Sequence, residues 1–399
     1  MNSLKRWVAK KILGGDILRR HVDALLKPIE RSPLHENDQP KFFDYDDVPA
    51  KLIAFYFPQF HPFDENDRLW GKGFTDWTNT TKCKPAFIGH RIPRLPCELG
   101  FYDTRIKAVM ERQIQLARGH GIYGFCFHHY WFSGKPVMRV PYDMMLANPD
   151  LDIPFCLHWA NEAWTSRWDG VHEKGGVLLA QTHTPGDDIA FLKNIEPALR
   201  DKRYIKIDGR PVLVIYRPLL FPDIKSTVTR WNKYLDSCGL PHLYLANMQT
   251  RFEKLFDPRA INFDAAIEYP PHHSIMSPCV TKKHEFHEAS ECVIRDYIDM
   301  VNNAIARPSV EYDWFRGVMV GWDNTPRRKE STVFVNSTPD QYGRWLRKMI
   351  EITKNKPNPE KRLVFINAWN EWAESAYLEP DFDMGYAFLN ETARAVSKE

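Results

Sequence analysis

The chain has 399 residues, of which 54 are Lys or Arg and 51 are Asp or Glu, so its formal net charge at pH 7 is +3. This near balance argues against nucleic acid as a partner, because nucleic-acid-binding domains carry clustered basic charge. The seven cysteines include no CxxC pair, so neither a disulfide framework nor a zinc ribbon is predicted.

Residues 1–47 are predicted to be a basic N-terminal helical extension with a linker, and residues 48–399 to form one domain. Within 4–27, apolar side chains recur among basic ones, a pattern compatible with a weak membrane-surface helix. A helix packed on the domain, or a frayed terminus, is the simpler interpretation. No secretory signal or bilayer-length apolar run follows, so we expect a cytoplasmic protein, at most peripheral to the inner membrane.

After residue 50, short apolar runs alternate with helical stretches. The runs are 52–60, 123–131, 154–161, 211–217, 242–248, 263–269, 317–323 and 363–369, and the helical stretches include 104–120, 187–200, 224–237, 288–305, 339–353 and 384–396. Near-continuous hydrophobic runs are typical of parallel strands buried on both faces. The alternation predicts an α/β fold, a (β/α)8 TIM barrel.

The predicted strands end in polar or aromatic residues. The active site of such a barrel lies at the C-terminal ends of its strands. We therefore expect a set of side chains at or just beyond these ends to converge on one cavity and bind a polar substrate. The set comprises His61, Trp77, His129, Trp159, Glu162, Tyr216, Glu268 and Asp323.

Two glutamates, Glu371 and Glu374, follow the last predicted strand. On a helix, side chains three residues apart share a face with Cβ atoms about 5–6 Å apart, close enough to raise one pKa and leave the other group ionised. An acid beside a base suits the chemistry of glycosidic bonds, and Trp369 and Trp372 are expected to line the same site. Glu at this spacing is also common on surface helices.

Other groups offer alternatives. Glu162 with Asp323 is a rival carboxylate pair, and Asp76 is interpreted as a binding or structural residue. Histidines near strand ends (His61, His128, His129, His158, His272 and His273) would suit a metal-dependent hydrolase, but no His-x-His follows the first strand and no HExxH occurs. No phosphate-loop or dinucleotide motif is present either, so we expect neither a metal nor a cofactor.

The chain resembles the WbsX-like proteins, which carry a domain similar to glycoside hydrolase family 99 and occur in bacterial O-antigen and capsule gene clusters. The stretches that carry the resemblance lie in order at 54–79, 124–137, 154–170, 203–218, 321–329 and 365–381. They include AFYFPQFHPF, GFCFHHYWFSG, GWDNTPRRK and FINAWNEWAESAYLEPD.

The resemblance implies a (β/α)8 barrel and a retaining mechanism that uses an Asn-Glu-Trp-x-Glu motif. Carried onto this sequence, Glu371 assists the sugar 2-hydroxyl in forming a 1,2-anhydro intermediate, and Glu374 is the acid/base. In this scheme Glu374 needs a raised pKa while Glu371 stays ionised. Ser375 departs from the pattern, because relatives usually have Gly there.

We therefore expect a carbohydrate-active enzyme of bacterial surface-polysaccharide biosynthesis whose partner is a glycan or a sugar donor. One alternative is a glycosyltransferase that uses an activated sugar donor. Another is a barrel that binds glycans without catalysis.

Overall fold

The computed structural model describes residues 30–165, 176–250, 255–287, 291–328 and 330–397, together with residues 20, 22 and 23. Most of the predicted membrane-surface segment 4–27 therefore lies outside the described residues. In the part of the chain that is described, no helix combines the length and the apolar character needed to cross a bilayer. The division at residue 48 stays a prediction.

Eight parallel strands form a closed barrel. They are β1 (Lys51–Tyr56), β2 (Ile122–Phe132), β3 (Phe155–Trp159), β4 (Arg210–Ile215), β5 (Tyr244–Gln249), β6 (Ala265–Glu268), β7 (Asp313–Met319) and β8 (Leu363–Asn367). Each strand pairs in parallel with the next, and β8 pairs with β1 to close the ring. The predicted (β/α)8 barrel is confirmed, and every predicted strand overlaps an observed one.

Helices surround the barrel. They are α1 (Asp64–Trp70), α2 (Asp76–Lys82), α3 (Lys107–Gly119), α4 (Val140–Ala147), α5 (Pro185–Leu199), α6 (Ile224–Ser237), α7 (Tyr297–Ile305), α8 (Pro339–Thr353) and α9 (Ala387–Val396). Both α5 and α8 begin with Thr-Pro. The hydroxyls of Thr184 and Thr338 accept hydrogen bonds from backbone N–H groups of the first turn, and the following proline suits the first helical position.

The helix predicted over 288–305 begins later than expected. Residues 288–290 lie outside the described residues, and Val293–Asp296 form a strand paired with Thr332–Val335. The Asp296 side chain then accepts hydrogen bonds from the N–H groups of Ile298 and Asp299 and starts α7. A strand pairing between distant segments has therefore replaced the first turns of the predicted helix.

Short strands outside the barrel shape the loops at its C-terminal end. Lys135–Val137 forms a hairpin with the end of β2, and Trp164–Thr165 pairs with Val177–Leu179. After β8, Asn370–Glu371 pairs with Ala376–Tyr377. These pairings hold the loops that carry the candidate site.

The segment that precedes β1 packs along the last helix. Glu36 accepts hydrogen bonds from Asn390 at 2.8 Å and Arg394 at 3.0 Å. The backbone N–H of Lys41 donates to the carbonyl of Gly119 at 2.7 Å. The described part of this segment is therefore in contact with the barrel.

Candidate active site

A cavity of about 140 Å³ lies at the C-terminal ends of the strands. Residues in or after β2 and β3 form one wall, with His128, Tyr130 and His158. Tyr216 and Tyr269, which follow β4 and β6, line it further. The loops after β7 and β8 supply the charged wall, which carries Arg327, Arg328, Glu371 and Glu374.

The loop after β8 presents both glutamates to this cavity. Glu371 ends the short strand Asn370–Glu371, and a single 3-10 turn, Trp372–Glu374, follows it. A 3-10 helix has three residues per turn, so side chains three apart point the same way. The predicted common face of Glu371 and Glu374 is thus achieved without an α-helix.

One arginine joins three carboxylates in the wall. The Nη2 of Arg327 donates to Asp76 Oδ2 and to Glu371 Oε2, both at 3.0 Å. Its Nη1 donates to Glu374 Oε1 at 3.1 Å. The guanidinium lies over the ring of Phe57 at 4.9 Å and is almost fully buried. Both glutamates therefore lie within hydrogen-bond distance of the same buried cation.

Burial and neighbouring charges shift the pKa of Glu371. Burial raises the pKa of Glu371 well above its usual range; Arg327 opposes this, and the negative charges of Glu374 and Asp76 add to it. Glu371 has an exposed fraction of 4%. The structure therefore favours the protonated form of Glu371 more than the sequence predicted, because its side chain is buried beside two other carboxylates.

A second network of hydrogen bonds, centred on Glu379, supports the loop after β8. Glu379 accepts hydrogen bonds from Trp372 Nε1 at 2.6 Å, Gln113 Nε2 at 2.6 Å and the Tyr102 hydroxyl at 2.8 Å. Burial raises the pKa of Glu379 to about 7, although these hydrogen bonds oppose the rise. The backbone of Phe57 exchanges two hydrogen bonds with the Asn370 side chain, which ties the loop to the end of β1.

The two tryptophans expected in the site do not line this cavity. Trp372 is fully buried and stacks on Tyr377 with ring centroids 3.9 Å apart. Trp369 is fully buried and contacts Phe125. Both indoles belong to the buried packing that supports the loop.

The wall formed by β2 and β3 shows which strand residues face inward. His128 pairs in register with His158, and the two rings lie 4.6 Å apart at the cavity. His129 and Trp159 pair one position later and pack outward on Phe191 of α5. Successive side chains alternate between the faces of a sheet. The prediction of His129 and Trp159 in the site was therefore wrong by one residue in each strand.

Both inward histidines are neutral groups. Burial lowers the pKa of His128 to about 4 and that of His158 well below its usual range. His128 Nδ1 bonds to the carbonyl of Tyr56 at 3.1 Å. Neither ring nitrogen of His158 has a hydrogen-bond partner in the described structure. A buried imidazole of this kind suits a polar group of a ligand that can donate or accept.

Of the eight side chains expected to converge, Glu162 and Tyr216 line this cavity. Glu162 also accepts a hydrogen bond from Arg217 at 3.1 Å. The other six do not line this cavity, because packing, hydrogen bonds or ion pairs hold them in other places. They are His61, bonded to Thr104; Trp77, packed on Phe60 and Trp372; His129 and Trp159, on the helix side; Glu268, among arginines; and Asp323, bonded to His90.

Sequence reasoning missed Arg327 as a member of the site. Its signal was the run of basic residues Arg327-Arg328-Lys329 after the seventh predicted strand, within a stretch that carries the family resemblance. Tyr130 and Tyr269 were missed because their inward direction depends on strand register. Within the described ranges, no group of three or more His, Cys, Asp or Glu side chains is arranged to hold a metal ion.

Among solved structures, the fold is similar to a glycoside hydrolase-like protein, with a TM-score of 0.55 and 14% identity over 95% of this chain and 99% of that one. It is also similar to the GH99 endo-alpha-mannosidase from Bacteroides thetaiotaomicron, with a TM-score of 0.53 and 13% identity over 86% of this chain and 96% of that one. At these identities the likeness concerns the fold alone.

The relatives found by sequence comparison have a higher identity to this chain than these solved structures. Two Xanthomonas campestris pv. campestris proteins, both described as uncharacterized protein WxcX, are 41% identical over 352 residues, or 88% of this chain. That match covers 50% of their length, so the chain spans about half of the curated relatives it matches. Residues 52–392 match the family described as Glycosyltransferase WbsX. The chain therefore belongs to the glycosyltransferase WbsX family.

Proposed function

We propose that this chain is a carbohydrate-active enzyme that acts on glycosidic bonds in bacterial surface-polysaccharide biosynthesis, with Glu371 and Glu374 as the reacting pair. The observation that carries the proposal is that both carboxylates line one cavity and bind one buried guanidinium. The family description and the barrel fold agree with it. A cytoplasmic location stays a prediction.

The proposed reaction has two steps that retain configuration. In the first, Glu374 gives a proton to the departing glycosidic oxygen while Glu371 takes the proton of the 2-hydroxyl, whose oxygen bonds to the anomeric carbon. In the second, Glu374 takes a proton from an incoming hydroxyl, which attacks that carbon. The bond between that carbon and the 2-oxygen breaks as the new bond forms, and Glu371 returns its proton to the 2-oxygen. The incoming hydroxyl belongs to water in hydrolysis and to a sugar in transfer.

The buried position of Glu371 suits the role of base. A group with a raised pKa binds a proton more tightly, so its ionised form is a stronger base than an exposed carboxylate. Arg327 keeps that ionised form accessible, because its guanidinium opposes the effect of burial. We expect the acid limb of the pH–rate profile to lie above the usual glutamate range.

The opposite wall suits the recognition of sugar hydroxyls. His128, His158 and Tyr216 present neutral donors and acceptors, and Glu162 adds a carboxylate held by Arg217. Aromatic rings at the cavity offer faces for the C–H surfaces of a sugar ring. We therefore propose that this wall orients the sugar whose anomeric carbon reacts.

A glycosyltransferase that uses an activated donor is the second candidate, and the family description favours it. Arg328 lines the cavity beside the catalytic pair, where a cation could face the phosphate of such a donor. Titration of the protein with sugar nucleotides and with sugar phosphates separates the two functions. Saturable binding of a donor, followed by its consumption with an acceptor glycan, would establish transfer.

The main experiment is a screen of oligosaccharides from bacterial surface polysaccharides, with the anomer of the first product read by NMR. The same assay compares Glu374→Gln with Glu371→Gln on poor and on activated leaving groups. We expect Glu374→Gln to spare activated aryl glycosides, because a stable leaving group needs less protonation. Glu371→Gln should depress turnover of both substrates.

The matched control is Glu351→Gln, which changes an exposed glutamate on α8 and should have no effect on turnover. Small and equal losses for Glu371→Gln and Glu374→Gln would contradict the catalytic assignment.

A further inference from the structure

Glu379 is a buried carboxylate that the proposed reaction does not use. It comes after the short strand Ala376–Tyr377, and its exposed fraction is 2%. It does not line the catalytic cavity, so it is not a reacting group. Its backbone N–H donates to the carbonyl of Trp369 at 3.3 Å, which holds it against the loop that carries Glu371 and Glu374. Burial of an ionised group costs free energy, so the position of this carboxylate calls for an explanation.

Two hydrogen-bond donors reach Glu379 Oε2 and cannot reverse their direction. Trp372 Nε1 donates at 2.6 Å, and an indole N–H has no capacity to accept. The Tyr102 hydroxyl donates at 2.8 Å, and it already accepts a hydrogen bond from Asn370 Nδ2 at 3.2 Å. Both donors therefore need this oxygen as an acceptor.

A third donor reaches the other oxygen of Glu379 from α3. Gln113 Nε2 donates to Glu379 Oε1 at 2.6 Å. The Tyr56 hydroxyl donates to Gln113 Oε1 at 2.9 Å, which turns the amino group of that amide toward Glu379. All three partners are neutral, and no basic side chain is among the described groups that shift the pKa of Glu379.

This pattern of donors favours the ionised carboxylate over the carboxylic acid. A protonated Glu379 carries a donor of its own, and none of its three partners can accept it without losing another hydrogen bond. Burial acts in the opposite direction and raises the pKa of Glu379 to about 7. The two forms are therefore close in free energy near neutral pH, and they differ in their hydrogen bonds to the loop.

The tyrosines packed against Glu379 stay neutral in this range. Tyr56 comes from β1 and Tyr102 from the segment before α3, and burial raises the pKa of each well above its ordinary value. The other two partners, Gln113 of α3 and Trp372 of the loop after β8, do not titrate. A change of charge in this network near pH 7 therefore belongs to Glu379.

The network reaches Glu371 from both sides. Asn370 precedes Glu371 and donates to the hydroxyl of Tyr102, which bonds to Glu379. Trp372 follows Glu371 and donates to Glu379 directly. Loss of the ionised acceptor at Glu379 therefore disturbs the hydrogen bonds of both neighbours of Glu371.

We propose that Glu379 is a positioning residue whose ionised carboxylate holds the loop after β8 in the conformation that turnover needs. This inference rests on the proposed function and deepens it, because it adds control of the same site by a group outside the cavity. Protonation of Glu379 weakens its hydrogen bonds to the loop and changes the direction of the Glu371 carboxylate. The chemical step then slows. Substrate binding changes little, because β2 and β3 form the wall that faces the sugar hydroxyls.

The test exchanges the carboxylate and the amide across the hydrogen bond between Gln113 and Glu379. Glu379→Gln must turn an amino group toward one of the three donors, so kcat should fall about tenfold while KM stays within about twofold. Gln113→Glu combined with Glu379→Gln again pairs one carboxylate with one amide. The new amide can keep its oxygen toward Trp372 and Tyr102 and donate to the new carboxylate. We expect this double variant to recover most of the lost kcat.

The matched control removes a different buried glutamate. Glu391 on α9 is 6% exposed and pairs with Arg347 and Arg394, and it does not line the catalytic cavity. Glu391→Gln should lower stability and leave kcat unchanged. Thermal unfolding of all variants separates a loss of stability from a loss of turnover.

The pH profile distinguishes positioning from a purely structural role. Above pH 7 Glu379 is mostly ionised in the unsubstituted chain, and below pH 7 it is mostly protonated and resembles an amide. The unsubstituted chain and Glu379→Gln should therefore differ about tenfold in kcat at pH 8 and converge toward pH 5. A readout without substrate is the indole N–H resonance of Trp372, assigned with Trp372→Phe. It should titrate near pH 7 in the unsubstituted chain and lose this titration in Glu379→Gln.

Three results would overturn the inference. They are a kcat ratio that is the same at pH 5 and pH 8, losses of kcat that add in the double variant, and a Trp372 indole resonance that does not titrate in the unsubstituted chain. If the unsubstituted chain turns over none of the glycans in the screen, the proposed function is contradicted instead. The indole titration then still decides whether the charge of Glu379 acts on the loop.

Discussion

Two buried clusters of charge in this barrel have opposite composition. At the end of β6, one carboxylate, Glu268, bonds to Arg307 at 2.5 Å, Arg316 at 2.8 Å and His272 at 3.3 Å. Beside β8, one cation, Arg327, serves three carboxylates. Most members of both clusters are buried, and only Arg307 and Glu374 are partly exposed. In the first cluster the basic side chains outnumber the carboxylate. In the second cluster the carboxylates outnumber the single cation.

The pKa values of the carboxylates follow the ratio of basic groups to carboxylates in each cluster. Burial alone would raise the pKa of Glu268, but the hydrogen bond from His272 and the charges of Arg316 and Arg307 outweigh it and lower that pKa to about 2. In the Arg327 cluster burial prevails, and the pKa of Glu371 is raised. A carboxylate with surplus cations stays ionised and holds structure together. A carboxylate that shares one cation can exchange a proton.

The largest effect is expected for Arg327→Met. It removes the cation that binds Glu374 and the buried carboxylates of Asp76 and Glu371, so turnover should fall at least a hundredfold and the free energy of unfolding by about 3 kcal/mol. Arg327→Lys keeps the charge but loses the two-pronged geometry, and should cost less. Turnover assays and urea unfolding measure both. Turnover within twofold of the unsubstituted chain for Arg327→Met would remove the cluster from the mechanism.

Glu268→Gln should destabilise the protein by about 3 kcal/mol at pH 7, because two buried arginines lose their counter-charge. The folded-state pKa of Glu268 is lowered, so the stability it contributes is present above about pH 4.5 and is lost as pH falls toward 2. Unfolding measured from pH 3 to pH 7 should therefore show the two proteins converging in acid. The exposed Glu351→Gln should differ from the parent by less than about 0.5 kcal/mol throughout. A pH-independent difference would show that the charge is not the cause.

Glu371→Gln is expected to act in the opposite direction on stability. The folded-state pKa of Glu371 is raised, so its ionisation costs stability as pH rises, and an amide removes that cost. The variant should be more stable than the parent at pH 8, on the order of 1 kcal/mol, since one pKa unit corresponds to about 1.4 kcal/mol. The gain should disappear near pH 4. Melting temperatures across this range decide it, and a loss of stability at pH 8 would refute the comparison.

The smallest effect concerns Ser375, at φ 49° and ψ 31°, a left-handed conformation that favours glycine. Ser375→Gly should relieve this strain at some cost in unfolded-state entropy, for a net gain of about 0 to 1 kcal/mol. Ser375→Ala keeps the Cβ and should bring no such gain. Calorimetric unfolding of both variants distinguishes them. Equal stability changes in the two would mean that the backbone conformation is not the reason.

Local sequence was enough to find the strands and the two glutamates that line the cavity. The apolar runs were long because parallel strands are buried on both faces, and each overlaps an observed strand. Glu371 and Glu374 are three residues apart, so their common direction needs one turn of chain. The raised pKa of Glu371 was not accessible from local sequence, because it depends on burial and on Asp76 and Arg327, which come from other loops.

The direction in which side chains point at the strand ends was harder to predict from the sequence. His128 and His129 are adjacent and chemically identical, yet one faces the cavity and the other faces α5. The choice follows from which residue pairs with His158 in the neighbouring strand. A shift of one residue reverses every side chain of a strand, and sequence patterns around polar strand ends do not specify it.

The sequence by itself determined the barrel, its order of strands and the position of the glutamate pair, because these depend on burial patterns and on spacing within one loop. Only the tertiary structure decided which carboxylates meet one cation and which meet several. Asp76 and Arg327 are 251 positions apart, and Glu268 and Arg316 are 48 apart. The pKa of a buried carboxylate is set by its neighbours in space, so it is lowered for Glu268 and raised for Glu371.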